Sequence, residues 1–367
     1  QPALRARHDE VFVDTGQHWD ESMAGSFFSE LGLARPNYSL GAGGGSHAEQ
    51  TAVMLLGLEP ILIAERPDAV LVYGDTNSTL AGALAAAKLG IPVAHVEAGL
   101  RSFDRQMPEE LNRVVADHLA AWLFAPTQTA VDNLRAEGIT SGVALVGDLM
   151  QDLAARVGAE VRDSAVLGQI SGGLAGRGAS VTLRPGSYCY ATIHRAENRT
   201  PAAIRAWVEL LSRAASPDRP VILALHPGTR AAMEAASARL GPDVIVVDPQ
   251  PYRTSLALQM HAAAVLTDSG GIQREAAWLG VPCLVLRTST EWPELLAEES
   301  GRVVLVGLDA DRAVTELERL APTGAAPALA AARTHDFTPC FAGAADAIVA
   351  ALESDSARAP HSPLGAA

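Results

Sequence analysis

The chain has 367 residues, which is long enough for two domains with sizeable cores. Hydrophobic residues make up 48% and aromatic residues 5%, and no apolar run reaches the length of a membrane span, so no membrane-spanning helix is expected. A formal net charge of −14 argues against a nucleic-acid partner but leaves an anionic small substrate open, because a local helix terminus holds phosphate even on an acidic protein.

Short apolar runs alternate with helical runs along the chain, the signature of parallel α/β architecture. Ala69–Tyr73 reads as a buried strand, Thr76–Leu89 as a helix and Pro92–Val96 as the next strand. Leu111–Ala121 reads as helix, Trp122–Ala125 as strand, Thr127–Ala136 as helix and Ala144–Val146 as strand. Gly168–Pro185 is loose in pattern and rich in Gly and Ser, and is expected to be a linker or mobile segment. A second series of strands follows at Cys189–Ile193, Val221–Leu225, Val244–Val247, Ala264–Thr267, Pro282–Leu286 and Val303–Val306, with helices between them. The expected assembly is two doubly wound domains with a cleft between them, ligands binding beyond the carboxyl ends of the strands. Cys189, Cys283 and Cys340 lack framework spacing, and no signal-peptide pattern follows Gln1; free thiols in a reducing cytoplasm are expected.

The strand ends carry the chemistry. Thr267-Asp268-Ser269-Gly270-Gly271 turns a strand into a helix, which leaves backbone N–H groups and the positive helix end facing outward as an anion site. Glu275, one turn into that helix, is placed for sugar hydroxyls rather than for phosphate. Asp75 and Glu97 follow neighbouring strands, and Glu109 opens a nearby helix with Arg113 one turn on. His194 and His226 follow the first two strands of the second series. Ordinary alternatives exist for each. Asp75 could cap a helix, Glu109 and Glu110 could be first-turn acids with Glu109 paired to Arg113, the DSGG segment could be a plain serine-capped turn, and His226 could be a solvated loop histidine. His261 on a helix and His47 in a Gly-rich loop are read as having no role. No HxxxH or CxxC spacing supports a metal site.

GDTNST (Gly74–Thr79), HVEAGLR (His95–Arg101), PEELNR (Pro108–Arg113), HRAEN (His194–Asn198), LHP (Leu225–Pro227), TDSGGIQRE (Thr267–Glu275) and TEWPE (Thr290–Glu294) occur in this order. The ordered set resembles the non-hydrolysing UDP-N-acetylglucosamine 2-epimerases over roughly residues 8 to 350. The resemblance implies the two-domain glycosyltransferase-B fold. Its N-terminal domain would span residues 1–160 and be completed by a C-terminal helix near Ala342–Leu352; its UDP-binding domain would span residues 161–341. Crossings between the two are expected near Leu153–Val161 and Phe337–Ala342.

The resemblance also implies a reaction: anti elimination of UDP from UDP-GlcNAc to a 2-acetamidoglucal, then re-addition to give UDP-ManNAc. Asp75, Glu97 and Glu109 would be catalytic acids, with His194 a further catalytic or phosphate-facing group. Ser269, Gly270 and Gly271 would hold the diphosphate and Glu275 the ribose, with His226 and Arg113 lining the nucleotide or sugar site. No cofactor is implied, and a homodimer is. Relatives that epimerise UDP-2,3-diacetamido-2,3-dideoxyglucuronate have very similar motifs; a transferase of the same fold and a non-catalytic sugar-nucleotide binder are the readings from other classes. The sequence departs from the family pattern in several places. Val11–Asp14 matches the family's second strand. Gly41–His47 replaces most of an activator-binding set of which Gln17 matches one contact, so simple kinetics without an activator are expected. Trp292 stands where many members have Arg, and Ser255 falls near a Phe position that stacks on uracil.

Overall fold

A computed structural model describes residues 1–17, 32–175, 182–297, 301–322 and 343–354. Cys340 and the expected crossing at Phe337–Ala342 lie outside the described residues. The chain divides into two compact units, Gln1–Asp152 with Cys340–Ala367, and Leu153–Pro339.

In the first unit, β1 (Val13–Asp14) and β2 (Tyr38–Ser39) form a two-stranded parallel ladder. A four-stranded parallel sheet follows in chain order, β3 (Val70–Tyr73), β4 (Val93–Val96), β5 (Trp122–Ala125) and β6 (Val143–Leu145). Both faces are covered, which is why β5 reads as an unbroken apolar run and why β4, which carries His95, is buried along its whole length. Val93 packs with Met54, Leu58 and Leu62 of helix α1 (His47–Glu65) and with the alanines of α2 (Asn77–Lys88). Ala94, Val96, Trp122 and Phe124 pack with Ile348 of the C-terminal helix Ala344–Ser354. Helices α3 (Pro108–Leu119) and α4 (Gln128–Ala136) supply the remaining crossovers.

The second unit holds six parallel strands, β7 (Cys189–Ile193), β8 (Val221–Leu225), β9 (Val244–Val247), β10 (Ala264–Thr267), β11 (Cys283–Val285) and β12 (Val303–Leu305). They lie in the order β12-β11-β10-β7-β8-β9. The order reverses between β7 and β10, the place where a doubly wound sheet opens a crevice for ligands. The core is built on Trp207, Leu210 and Leu211 of helix α7 (Pro201–Ala214), all fully buried, together with alternate residues of β7 and β8, and helix α9 (Tyr252–His261) leads into β10.

Two segments differ from the sequence expectation. His47 is not in a loop but begins α1, a helix of 19 residues opened by a capping box. In it Ser46 Oγ accepts from the Glu49 N–H and the Glu49 carboxylate accepts from the Ser46 N–H. Helix α1 gives no periodic signal because it is apolar on both sides: Met54, Leu58 and Leu62 point inward while Val53, Leu56 and Ile63 are exposed. Gly168–Ala175 is not a linker but most of α6 (Val166–Ala175), which follows α5 (Leu149–Val161). Leu167 and Ile170 pack beside Leu183, Tyr188 and Tyr190, and this burial outweighs the low helix propensity of the segment's glycines. The expected crossing at Leu153–Val161 is continuous helix, and the division between units falls within α5. Among the described residues no helix is long and apolar enough to cross a membrane.

Candidate active site

Strands β3 and β4 pair in parallel with Tyr73 opposite Val96, so Asp75 and Glu97 leave the sheet at adjacent tips. Gly74 turns the chain at φ +66°, and Glu97 itself takes φ +68°, a conformation rare for a residue with a side chain. A Cβ on Gly74 would lie 3.9 Å from Glu97 Oε2, which puts that carboxylate over the end of β3. Both side chains are half-buried.

Asp75 does not cap α2. The N-cap is Thr76, and its side chain makes no capping bond. The Asp75 carboxylate instead accepts from Arg113 Nη2 at 2.5 Å, and its backbone carbonyl accepts from Asn112 Nδ2 at 2.9 Å. Arg113 is paired not with Glu109 but with Glu110, whose Oε2 lies 3.0 Å from Nη1. Glu110 also accepts from the Ser102 and Phe103 N–H groups at 2.8 and 3.1 Å, fixing the loop ahead of α3. Arg113 is therefore buried and paired with Asp75, holding it. Glu109 is half-buried in the first turn of α3 and has no side-chain partner among the described residues. The turn that opens α2 is held from β1's side: Gln17 Oε1 accepts from the Ser78 N–H at 3.0 Å and from its hydroxyl at 2.8 Å.

In the second unit the crevice between β7 and β10 is organised by Asp268, to which the sequence pattern assigns no role. Its side chain is fully buried, and it accepts from the His194 and Arg195 N–H groups at 3.0–3.1 Å and from Asn198 Nδ2 at 2.8 Å. Burial pushes this carboxyl up, but the His194 ring and the other donors outweigh it and hold Asp268 below the usual carboxylate range. His194 Nδ1 lies 3.0 Å from Asp268 Oδ1, an ion-pair distance, on a side chain that is 46% exposed.

Helix α10 (Gly270–Trp278) starts beside this pair. Ser269 Oγ accepts from the Ile272 N–H at 3.4 Å, so the capping role is present. The Gly270 and Gly271 N–H groups have no acceptor among the described residues. Gly270 is required by packing: a Cβ there would sit 2.4 Å from Glu291 Oε1. Glu291 is buried and fixed by Arg287 at 2.8 Å and Arg195 at 3.4 Å. Glu275 is buried and accepts from Gln259 Nε2 at 2.7 Å. His226 is no free loop residue but the N-cap of α8 (Pro227–Ala235). Its Nδ1 accepts from the Gly228 N–H at 3.1 Å, which places the ring proton on Nε2.

At the two departures from the family pattern, Arg274 lies over the Trp292 ring at 4.0 Å from its centroid, and Ser255 shares a hydrogen bond with the Tyr190 hydroxyl at 3.1 Å. Among the described residues no cluster of His, Cys, Asp and Glu is arranged to hold a metal ion.

The family model for UDP-N-acetylglucosamine 2-epimerase matches residues 3–353. The chain is 44% identical over 309 residues to the UDP-2,3-diacetamido-2,3-dideoxy-D-glucuronate 2-epimerase of Pseudomonas aeruginosa, covering 83% of this chain and 82% of that one. To the UDP-N-acetylglucosamine 2-epimerase of Methanocaldococcus jannaschii it is 39% identical over 331 residues, covering 86% and 87%. The crystal structure of UDP-GlcNAc 2-epimerase from that organism, in complex with UDP-GlcNAc and UDP, superposes with a TM-score of 0.81 at 34% identity, over 96% of this chain and 94% of the other. The glycosyltransferase SnogD from Streptomyces nogalater, at 18% identity and a TM-score of 0.50, shares the fold alone, over 95% and 93% of the two chains. The chain belongs to the UDP-N-acetylglucosamine 2-epimerase family and is an epimerase.

Proposed function

We propose that this epimerase interconverts UDP-GlcNAc and UDP-ManNAc by anti elimination and re-addition of UDP. The observation that supports it most is the pair of half-buried carboxylates, Asp75 and Glu97, on adjacent parallel strand ends. The C2 proton of the sugar is weakly acidic, because an N-acetyl group stands there rather than a carbonyl. UDP at C1 is a good leaving group. Removing the C2 proton as the C1–O bond breaks puts the electron pair into a C1–C2 double bond and the negative charge on UDP. Re-addition of UDP at C1, with proton delivery to the opposite face of C2, gives the epimer. This needs acid–base groups near both faces and anionic stabilisation of positive charge at C1, which carboxylates provide. Asp75, Glu97 and Glu109 are the groups we assign to it. No redox cofactor enters this route.

In this reading UDP is held by Ser269, Gly270 and Gly271 at the start of α10, with Glu275 on the ribose and His194 and His226 toward the phosphates. Arg113 acts through Asp75: with both Asp75 and Glu110 on it, it keeps the Asp75 carboxylate oriented.

A second reading, epimerisation of UDP-2,3-diacetamido-2,3-dideoxyglucuronate, is favoured by the 44% identity to the Pseudomonas aeruginosa relative. NMR of each sugar nucleotide incubated with the protein in D2O separates them. We expect UDP-GlcNAc to equilibrate with its C2 epimer and to take up deuterium at C2. Exchange confined to the diacetamido-glucuronate would install the second reading, and exchange in neither would overturn both.

We also propose a homodimer formed through first-unit helices. Val53, Leu56 and Ile63 are 49%, 74% and 58% exposed along one side of α1, an apolar stripe suited to a second copy. Light scattering should give twice the chain mass, and Leu56→Glu should lower it toward the monomer; a wild-type monomer at micromolar concentration would remove the proposal.

A further inference from the structure

Three side chains that no step above uses form a buried charged chain beneath Asp75 and Glu97. His95 is fully buried on β4, two residues before Glu97. Its Nδ1 lies 2.7 Å from Asp117 Oδ1 on α3, and its Nε2 lies 2.7 Å from the carbonyl oxygen of Gly74, the residue before Asp75. Asp117 Oδ2 accepts from the Gly99 N–H at 3.1 Å and forms an ion pair with Arg101 Nη1 at 2.8 Å. Arg101 closes the chain with two parallel bonds of 2.7 Å to the Glu137 carboxylate.

The donor and acceptor count fixes the state of the ring. A peptide carbonyl only accepts. Asp117, bonded on its other oxygen by a guanidinium and a backbone N–H, is a carboxylate and also only accepts. Both ring nitrogens therefore carry protons. A neutral ring would aim a lone pair at an oxygen 2.7 Å away on one side or the other. The groups facing the ring are Asp117, the Gly74 carbonyl and Glu97. Burial alone would favour the neutral ring, but the Asp117 hydrogen bond and charge, the Gly74 carbonyl and the nearby Glu97 outweigh it and raise His95 above its ordinary value. Asp117 is held below the carboxylate range: burial pushes it up, and His95 and Arg101 outweigh that.

We propose that His95 is a buried imidazolium that positions Asp75 and Glu97, tying the end of β3 to the end of β4 and, through Asp117, to the turn that follows Glu97. The places where it acts are the ones that need holding. Glu97 sits at φ +68° and Gly99 at φ +81°, and a Cβ on Gly99 would lie 2.3 Å from the Ala130 carbonyl oxygen. A strained non-glycine residue persists only where its surroundings over-determine it. Asp117 grips the chain at Gly99 and Arg101 on one side of Glu97, and at His95 on the other. A neutral His95 would lose one of its two bonds, and the Asp75 and Glu97 carboxylates would no longer be fixed relative to each other. His95, Asp117 and Arg101 are positioning residues and touch no substrate.

This inference rests on the reading that Asp75 and Glu97 carry the chemistry, and its test separates the two. The full chain, labelled with 15N in its histidine rings, is examined by NMR at pH 8, where an ordinary imidazole of pKa about 6.5 is mostly neutral. One imidazole is expected to show both nitrogens protonated; if every imidazole carries a single proton, the proposal is overturned, and no variant has to fold for that result. His95→Gln keeps a donor but loses the charge. It is expected to lower kcat about 100-fold, the scale of a misplacement of about 1 Å, with KM and UDP affinity within about twofold. A kcat within about threefold of wild type, or a loss carried by KM, would overturn the positioning role. Glu97→Gln is measured alongside. If it is fully active the reading of Glu97 fails on its own account, while a dead Glu97→Gln beside a normal His95→Gln removes only the role of His95.

Discussion

Asp75→Asn and Glu97→Gln are each expected to reduce epimerisation below about a tenth of the wild-type rate, a barrier increase of more than about 1.4 kcal/mol, with UDP affinity unchanged. The change in either case is one oxygen to one NH2 group, so shape is kept and only acid–base capacity and charge are lost. UDP affinity should hold because the residues assigned to UDP belong to the second unit, whereas both carboxylates belong to the first. Asp75 is a partner of the buried Arg113, so Asp75→Asn also weakens the compensation of a buried guanidinium that keeps Glu110. Some loss of thermal stability is expected there, and melting both variants alongside the activity assay separates a loss of chemistry from a loss of fold. More than about a tenth of the wild-type rate in either variant removes that residue from the mechanism.

The strand ends were legible in the sequence because parallel strands buried on both faces are short unbroken apolar runs, and the residue after such a run is a strand tip. Cys189–Ile193, Val221–Leu225, Val244–Val247 and Ala264–Thr267 read at the bounds the structure shows. That placed Asp75, Glu97, His194, His226 and Ser269 correctly on the fold. What could not be read was anything decided by burial. Helix α1 has apolar residues on two opposite sides, so it lacks the contrast that marks an amphipathic helix. Helix α6 is rich in glycine and holds together by packing. The charged residues of α3 divide in the same way. Glu110, Arg113 and Asp117 are buried while Glu109 is not, and first-turn position alone does not tell Glu109 from Glu110. One signal was available: Glu110, Arg113 and Asp117 recur at spacings of three and four, a charged stripe on one helix face. Such a stripe toward a core implies fixed partners. For Asp268 the signal was its place at the end of β10, next to the strand where the sheet order reverses, a topology no local pattern contains.

Ser269→Asp is expected to weaken UDP binding by one to two orders of magnitude while leaving the protein folded. The two expectations come from the same helix terminus. Ser269 is the N-cap of α10, and aspartate caps helices about as well as serine, accepting the same N–H groups and favoured by the positive end of the dipole. Stability should thus stay level or rise slightly. The new carboxylate, however, would stand where the diphosphate is assigned, next to the Gly270 and Gly271 N–H groups. It would satisfy part of the positive potential that holds the ligand, and it would repel a second anion. Two unit charges about 4 Å apart at an effective dielectric of about 20 repel by about 4 kcal/mol, and screening by solvent and salt brings the net effect into the range of about 1.4 to 2.8 kcal/mol. Calorimetry with UDP and with uridine distinguishes this from a general disturbance. Uridine has no phosphate and should lose little affinity, whereas UDP should lose most of its own, and less at high salt than at low. Equal losses for the two ligands would point to a distorted nucleoside site, and an unchanged UDP affinity would take the diphosphate away from the start of α10.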